Sequence, residues 1–414
     1  MGYQHWHFTK DKEGTAWLEI DVKDSSVNIL RVEVMQEWAE IMKEVAADSS
    51  LTGLCMVSGK PGGFVYGADI AEFNTLASEA DVYNLIALAA SVLSAIEKLD
   101  IPTVCGIDGV AVGGGLEIAL PFDRIVGVGQ RHTKLGFPEI NLGIFPGYGG
   151  TGRALRRVGI KTTLDMVLSG RLLGAEEALS HQLIDRLADD PNSLRDIMRE
   201  ELANPRNPDR VEGDAEFAAA LEAAEEDYCS SAIEAATPAP FEIIQHFKRS
   251  GGDWRKLVTS EGKAFAPLLL GEASYHLRRV FLINDAVRKT ARGDSQISHV
   301  HVIGAGTMGG DIAAVAALNG FSVSLSDREA SAVEKAVLRA ASLFERRLKT
   351  DKAIADANSR LIADVAGAHI GNADIIIEAV AERLEVKQAV FKEVEKAAKP
   401  GAILATNTSS IMIE

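Results

Sequence analysis

Residues 300–309 read Val-His-Val-Ile-Gly-Ala-Gly-Thr-Met-Gly, a β-type run that passes directly into Gly304-x-Gly306-x-x-Gly309. A helical run from Asp311 to Asn319 follows, Gly320 interrupts it, and Phe321 to Ser326 reads as a second strand closing on Asp327. A lone GxGxxG says little. With a strand before it, a helix after it and an acid 23 positions beyond Gly304, it has the context that dinucleotide binding requires. Bare glycine backbone lets a pyrophosphate reach the N–H groups of the helix N-terminus, and a carboxylate accepts hydrogen bonds from ribose hydroxyls. Gly304, Gly306, Met308 and Gly309 are the expected phosphate-side residues and Asp327 the ribose residue. An acid there favours NAD over NADP.

The alternation continues outward in both directions. Downstream, Asp374 to Val380 is an apolar strand, a helix runs to Ala398, and Gly401 to Thr406 is a strand turning at Asn407-Thr408-Ser409-Ser410. A parallel sheet needs cover beyond its last strand, so an end at Glu414 reads as a cut chain. Upstream, strands at Ala16–Val22, Gly53–Ser58 and Thr103–Asp108 alternate with helices at Val34–Ala47 and Val82–Leu99. Such alternation means α/β layering. Between the two α/β regions the character changes. Asn204-Pro205-Arg206-Asn207-Pro208 is a breaker cluster, and Val211 to Ile297 reads as helical, with one or two amphipathic helices over Glu261 to Lys289. The expected domains are 1–190, a helical connector over 191–296, and 297–414. At roughly 150 residues per domain, a chain of 414 residues accommodates this division.

Composition excludes several function classes. A hydrophobic share of 47% and a charged share of 25% are those of a globular chain. The net charge of −16 opposes any general electrostatic grip on nucleic acid. Cys55, Cys105 and Cys229 lack metal-ligand or disulfide spacing, so no metal is expected. No signal-peptide pattern and no run of 18 apolar residues occurs, and the expectation is a cytoplasmic protein without a transmembrane segment.

A second chemistry-bearing region precedes the helical one. Gly67-Ala68-Asp69 follows the Gly53–Ser58 strand, Gly113-Gly114-Gly115-Leu116-Glu117 follows the Thr103 strand, and Gly136-Phe137-Pro138-Glu139 comes next. Glycines at helix openings expose backbone N–H groups that can stabilise an enolate oxygen. Two glutamates beside them can supply the acid and base that add water or move a proton.

In this order and at these intervals, the three segments resemble the crotonase (enoyl-CoA hydratase/isomerase) superfamily, over roughly residues 10–190. The resemblance implies a spiral ββα fold, an acyl-CoA substrate and an oxyanion hole formed by the N–H groups of Ala68 and Gly114. It also implies that Glu139 is the principal acid/base and Glu117 its partner on the water. Possession of both glutamates favours enoyl-CoA hydration. The alternatives are a Δ3-Δ2 enoyl-CoA isomerase, a non-catalytic scaffold binding acyl-CoA or thiolase, and an RNA-binding homologue, the last opposed by the charge.

Residues 297–414 resemble the NAD-binding Rossmann domain of the L-3-hydroxyacyl-CoA dehydrogenase family, a doubly wound parallel sheet. On that match Glu382 and Lys387 lie along the nicotinamide side and Ser409 touches cofactor and substrate. The family's catalytic His falls downstream of the Asn407–Ser410 segment, so His299, His301 and His369 are expected to be structural. Together the regions resemble the α-subunit family of bacterial fatty-acid β-oxidation complexes. That implies enoyl-CoA and 3-hydroxyacyl-CoA ligands, a thiolase β subunit as partner, and an oligomer.

Overall fold

The computed structural model describes residues 2–130, 132–204, 209–210, 213–229, 236–290, 296–348 and 350–412. Pro205 to Pro208 of the breaker cluster lie outside the described residues. The chain divides into two compact units, Met1–Ala291 and Arg292–Glu414. Within the first unit, Leu221, Ile243, Phe247, Leu257, Phe265 and Leu269 of the helical region are buried in the same core as the strands before them.

In the first unit a six-stranded sheet has the order Trp6–Lys10, Thr15–Ile20, Gly53–Ser58, Thr103–Ile107, Arg124–Val128, Arg186–Ala188. The first two strands form an antiparallel pair and the rest run parallel. Gly53–Ser58 and Thr103–Ile107 are buried almost throughout. That is why they read as continuous apolar runs rather than alternating ones. A four-stranded sheet takes Gly63–Val65, Val110–Val112, Lys134–Gly136 and Leu172–Gly174 in that order. These short strands carry the chain through the segments singled out above.

The helix Val32–Ala47 buries Val34, Met35, Trp38, Ile41, Met42 and Val45, the three-and-four spacing that puts one apolar stripe against the sheet. The helix Glu79–Glu97 begins with a capping box in which Ser78 and Asp81 satisfy each other's backbone N–H groups. It is long and apolar enough to cross a membrane by length and composition. Here Val82, Ala89, Val92, Leu93 and Ile96 pack it into the core. The expected Glu261–Lys289 segment resolves into the helices Trp254–Leu270 and Glu272–Thr290.

The second unit is a five-stranded sheet, ordered Leu361–Ala363, Ser322–Ser326, His299–Ile303, Ile375–Glu378, Ile403–Thr406, with every pairing parallel. The strand order reverses at His299–Ile303, the position where doubly wound sheets bind ligands. The helices Thr307–Leu318, Ala330–Arg347, Asp351–Arg360 and Leu384–Ala397 complete it.

Candidate active sites

Ala68 and Gly114 come together in the first unit. Leu30 donates its N–H to Gly67 O (2.8 Å) and accepts from Asp69 N (2.9 Å), forming a parallel bridge centred on Ala68. Alternate N–H groups point to opposite sides of an extended segment, so that of Ala68 faces away from Leu30. A Cβ placed on Gly114 would lie 3.5 Å from Ala68 N, so the two backbone segments approach closely. Gly113 has φ +55° and ψ −129°, a conformation essentially restricted to glycine, and a Cβ there would come within 2.7 Å of Glu139 Oε1. The helix opened by the triple glycine is a single turn, Gly114–Glu117. The donors are therefore aimed by the turn itself rather than by a long helix dipole.

The two glutamates stand in different environments. Glu117 is 2% exposed, and its Oε1 accepts the N–H groups of Tyr148 (2.7 Å) and Gly150 (2.8 Å). Burial pushes its carboxyl up to about 7, and the two N–H bonds oppose the rise. Glu139 follows Pro138 at the start of the 3₁₀ turn Pro138–Leu142. Its Oε2 is buried without a hydrogen-bond partner, and desolvation, then the Glu117 charge, hold its carboxyl well above the ordinary carboxylate range. Desolvation thus raises both carboxyls, and the Tyr148 and Gly150 N–H bonds offset part of the rise at Glu117.

Gly114, Glu117 and Glu139 line a cavity of about 80 Å³. Its walls include Phe73, Leu85, Ile86, Leu142, Phe145 and Phe265, with Ala68 at the same pocket. The apolar lining suits an acyl chain, and it explains the desolvation of both carboxyls.

One group escaped the sequence reading. Glu261, on the helix Trp254–Leu270, is 1% exposed and accepts from Gly149 N, Thr151 N (3.2 Å) and the Thr151 hydroxyl. Nothing local marks it, since an isolated Glu in a helical run is ordinarily a solvent-facing residue.

In the second unit Gly304 has φ +106°, and a Cβ on Gly309 would lie 1.8 Å from Gly304 O. Both glycines are needed to close the turn. A Cβ on Gly306, by contrast, meets nothing within 4 Å. The glycine at the helix N-cap thus opens onto free space, where a pyrophosphate fits, and Met308 is exposed beside it. Asp327 stands at the end of the Ser322–Ser326 strand, with Ala305 N donating to its Oδ2 (2.7 Å).

Glu382, Lys387 and Ser409 also assemble. Glu382 accepts from the Thr408 hydroxyl and from Ser409 N (3.0 Å), and Lys387 Nζ stands 3.2 Å from it. Lys387 makes its main contacts with buried Glu378, at 2.9 Å to each oxygen, a partner the sequence reading did not identify. His301 is fully buried in the sheet between the hydroxyls of Ser324 (2.7 Å) and Ser326 (3.0 Å), while His299 meets Ser324 at 2.8 Å. His369 lies against Asp364 at 3.1 Å. None of the three stands with Glu382, Lys387 and Ser409.

Comparison with known proteins agrees with this division. Residues 12–209 match the family model "Enoyl-CoA hydratase/isomerase", and residues 299–414 match "3-hydroxyacyl-CoA dehydrogenase, NAD binding domain". The fatty acid oxidation complex subunit alpha of Shewanella halifaxensis (strain HAW-EB4) is 32% identical over 428 residues, covering 99% of this chain and 60% of the relative. That of Pseudomonas entomophila (strain L48) is 32% identical over 427 residues, covering 97% of this chain and 59% of the relative. The chain thus spans about 60% of the length of these relatives. A solved enoyl-CoA hydratase from Bacillus halodurans superposes with a TM-score of 0.51 at 18% identity, over 67% of this chain and 99% of that one, a likeness of fold. The chain therefore carries a region similar to the enoyl-CoA hydratase/isomerase family followed by one similar to the NAD-binding domain of the 3-hydroxyacyl-CoA dehydrogenase family, and it is similar along its length to part of the α subunits of fatty acid oxidation complexes.

Proposed function

We propose that the first unit hydrates trans-2-enoyl-CoA to 3-hydroxyacyl-CoA. The observation that carries this reading is the pair of unlike buried carboxyls, Glu117 and Glu139, at one apolar cavity with the N–H groups of Ala68 and Gly114. The thioester oxygen accepts from those two N–H groups, which stabilise the enolate as charge develops on it. Ionised Glu117 takes a proton from water while the hydroxyl adds to Cβ, and Glu139 delivers its proton to Cα. Water is consumed in full. The pair ends with its proton moved from Glu139 to Glu117, and transfer back through the site resets it.

The same carboxyls could move a proton between carbons of a Δ3-enoyl-CoA. The two N–H groups holding Glu117 favour hydration, because they support the ionised form of one carboxyl at the shared cavity. In the second unit Gly304, Gly306, Met308, Gly309 and Asp327 would hold NAD, with Glu382, Lys387 and Ser409 on its nicotinamide side. Bound there, NAD accepts a hydride from a 3-hydroxyacyl group. The relatives are named as subunits of a complex, and a thiolase β subunit is the partner this resemblance implies.

The test is loss of the conjugated enoyl absorbance of crotonyl-CoA with purified chain, compared with Glu139→Gln. The variant is expected to turn over at least about a hundredfold more slowly, as removal of a general acid–base group requires. Wild-type turnover by folded Glu139→Gln would refute the assignment.

A further inference from the structure

The turn Tyr148–Thr151 offers four successive N–H groups, and they go alternately to two buried carboxylates. Tyr148 and Gly150 donate to Glu117, while Gly149 and Thr151 donate to Glu261. Gly149, at φ +91°, makes the alternation sterically possible. The far side of the turn is fixed as well, since Arg153 Nη1 donates to Tyr148 O (2.7 Å) and the same guanidinium pairs with Glu97. Glu261 is one helical turn from Phe265, which lines the cavity, so one helix supplies both a wall of the pocket and the second holder of the turn.

We propose that Glu261 is a positioning residue for the carboxylate pair. By holding Gly149 and Thr151 it fixes the two neighbouring N–H groups, those of Tyr148 and Gly150, that orient Glu117. This rests on the reading of those two residues as the hydrating pair.

The electrostatics agree with the geometry. Burial and then the Glu117 charge push the Glu261 carboxyl up to about 8, and the Glu261 charge contributes in turn to the rise at Glu139. Among the other ionisable groups on the surrounding elements, the Arg153 charge opposes the rise at Glu117. Arg153 and Arg156 are paired with Glu97, and Arg157 with Asp185. Burial holds His246 down at about 4, and so neutral. Arg278 donates to Leu269 O and to the Ser274 hydroxyl. Lys248 and Arg249 pair outward with Glu225 and Glu242. Glu79, Asp81 and Tyr83 interact at the exposed start of their helix.

The test is Glu261→Gln, which keeps the shape and one acceptor oxygen but removes the charge and sets an amide N–H₂ against one backbone donor. Infrared titration of the Glu117 carboxyl stretch, assigned by its loss in Glu117→Gln, needs no turnover and is the deciding measurement. In Glu261→Gln the stretch is expected to titrate at higher pH than in wild type, because the Tyr148 and Gly150 N–H bonds that oppose the rise at Glu117 are loosened, and kcat for hydration should fall at least about tenfold with KM nearly unchanged. A stretch that titrates at the wild-type pH overturns the proposal, whatever happens to stability. Should Glu261→Gln fail to fold, Thr151→Val decides instead. It removes one donor to Glu261 and should move the Glu117 titration in the same direction by less, and an unchanged titration again overturns the proposal. Absence of hydration by wild type would refute the functional reading alone, because the infrared result stands without it.

Discussion

Replacing Glu117 by Gln separates what this carboxyl does for catalysis from what it costs in stability. Its carboxyl lies at an ordinary 4.5 in the open chain and about 7 in the fold, raised by burial. At about 1.4 kcal/mol per tenfold change, that difference is on the order of 3 kcal/mol between the two protonation states. The sign follows from proton counting. Between about 4.5 and 7 the unfolded chain has released this proton and the folded chain still holds it. Stability therefore falls as pH rises through that window, and the loss is complete above it. Gln carries no such loss, and its Oε1 can still accept from Tyr148 N and Gly150 N.

Glu117→Gln should thus be more stable than wild type at pH 8 by a few kcal/mol, with the advantage shrinking toward zero near pH 5. Hydration should meanwhile fall at least about a hundredfold. The assay is urea unfolding followed by tryptophan fluorescence at both pH values. All four tryptophans, Trp6, Trp17, Trp38 and Trp254, belong to the first unit, so the signal reports that unit alone. A stability difference that is the same at pH 5 and pH 8, or larger at pH 5, would refute the argument that burial sets this carboxyl.

Two further outcomes concern the second unit. Gly306→Ala meets no atom within 4 Å in the protein, so it should leave thermal stability unchanged yet weaken NAD binding at least about tenfold by calorimetry, because its methyl occupies the pyrophosphate's approach. Lys387→Met leaves Glu378, whose side chain is 1% exposed, as an uncompensated buried charge, at a cost of about 3–5 kcal/mol. Hydrogen exchange in the strand Ile375–Glu378 should accelerate accordingly, and unchanged protection would show that the pair contributes little.

Much of this was legible locally. The strand–GxGxxG–helix at 299–318 and the acid at 327 follow from near-neighbour rules: strand residues next to glycines, a helix behind them, and a carboxylate one strand later. The helices Val32–Ala47 and Glu79–Glu97 and the strands Gly53–Ser58 and Thr103–Ile107 were likewise written in periodicity, with ends displaced by up to three residues. Ala68, Gly114, Glu117 and Glu139 could be paired only through a resemblance, since no local rule brings residues from three loops to one cavity.

What the sequence by itself determined is the order and type of the elements and the identity of the groups each loop offers. These depend on side-chain spacing and backbone freedom, which act over a few residues. What only the tertiary structure decided is the company those groups keep. The helical stretch read as a connector buries its apolar stripe in the first core. In doing so it brings Glu261 to Gly149 and Thr151 across more than a hundred residues of chain. Lys387, in the first turn of the helix Leu384–Ala397, meets Glu378 at the end of the strand just before it, nine positions back. Burial and partners set a carboxyl's proton affinity, and both are properties of packed neighbours distant in sequence, so the acid and the base become distinguishable only once the chain has folded.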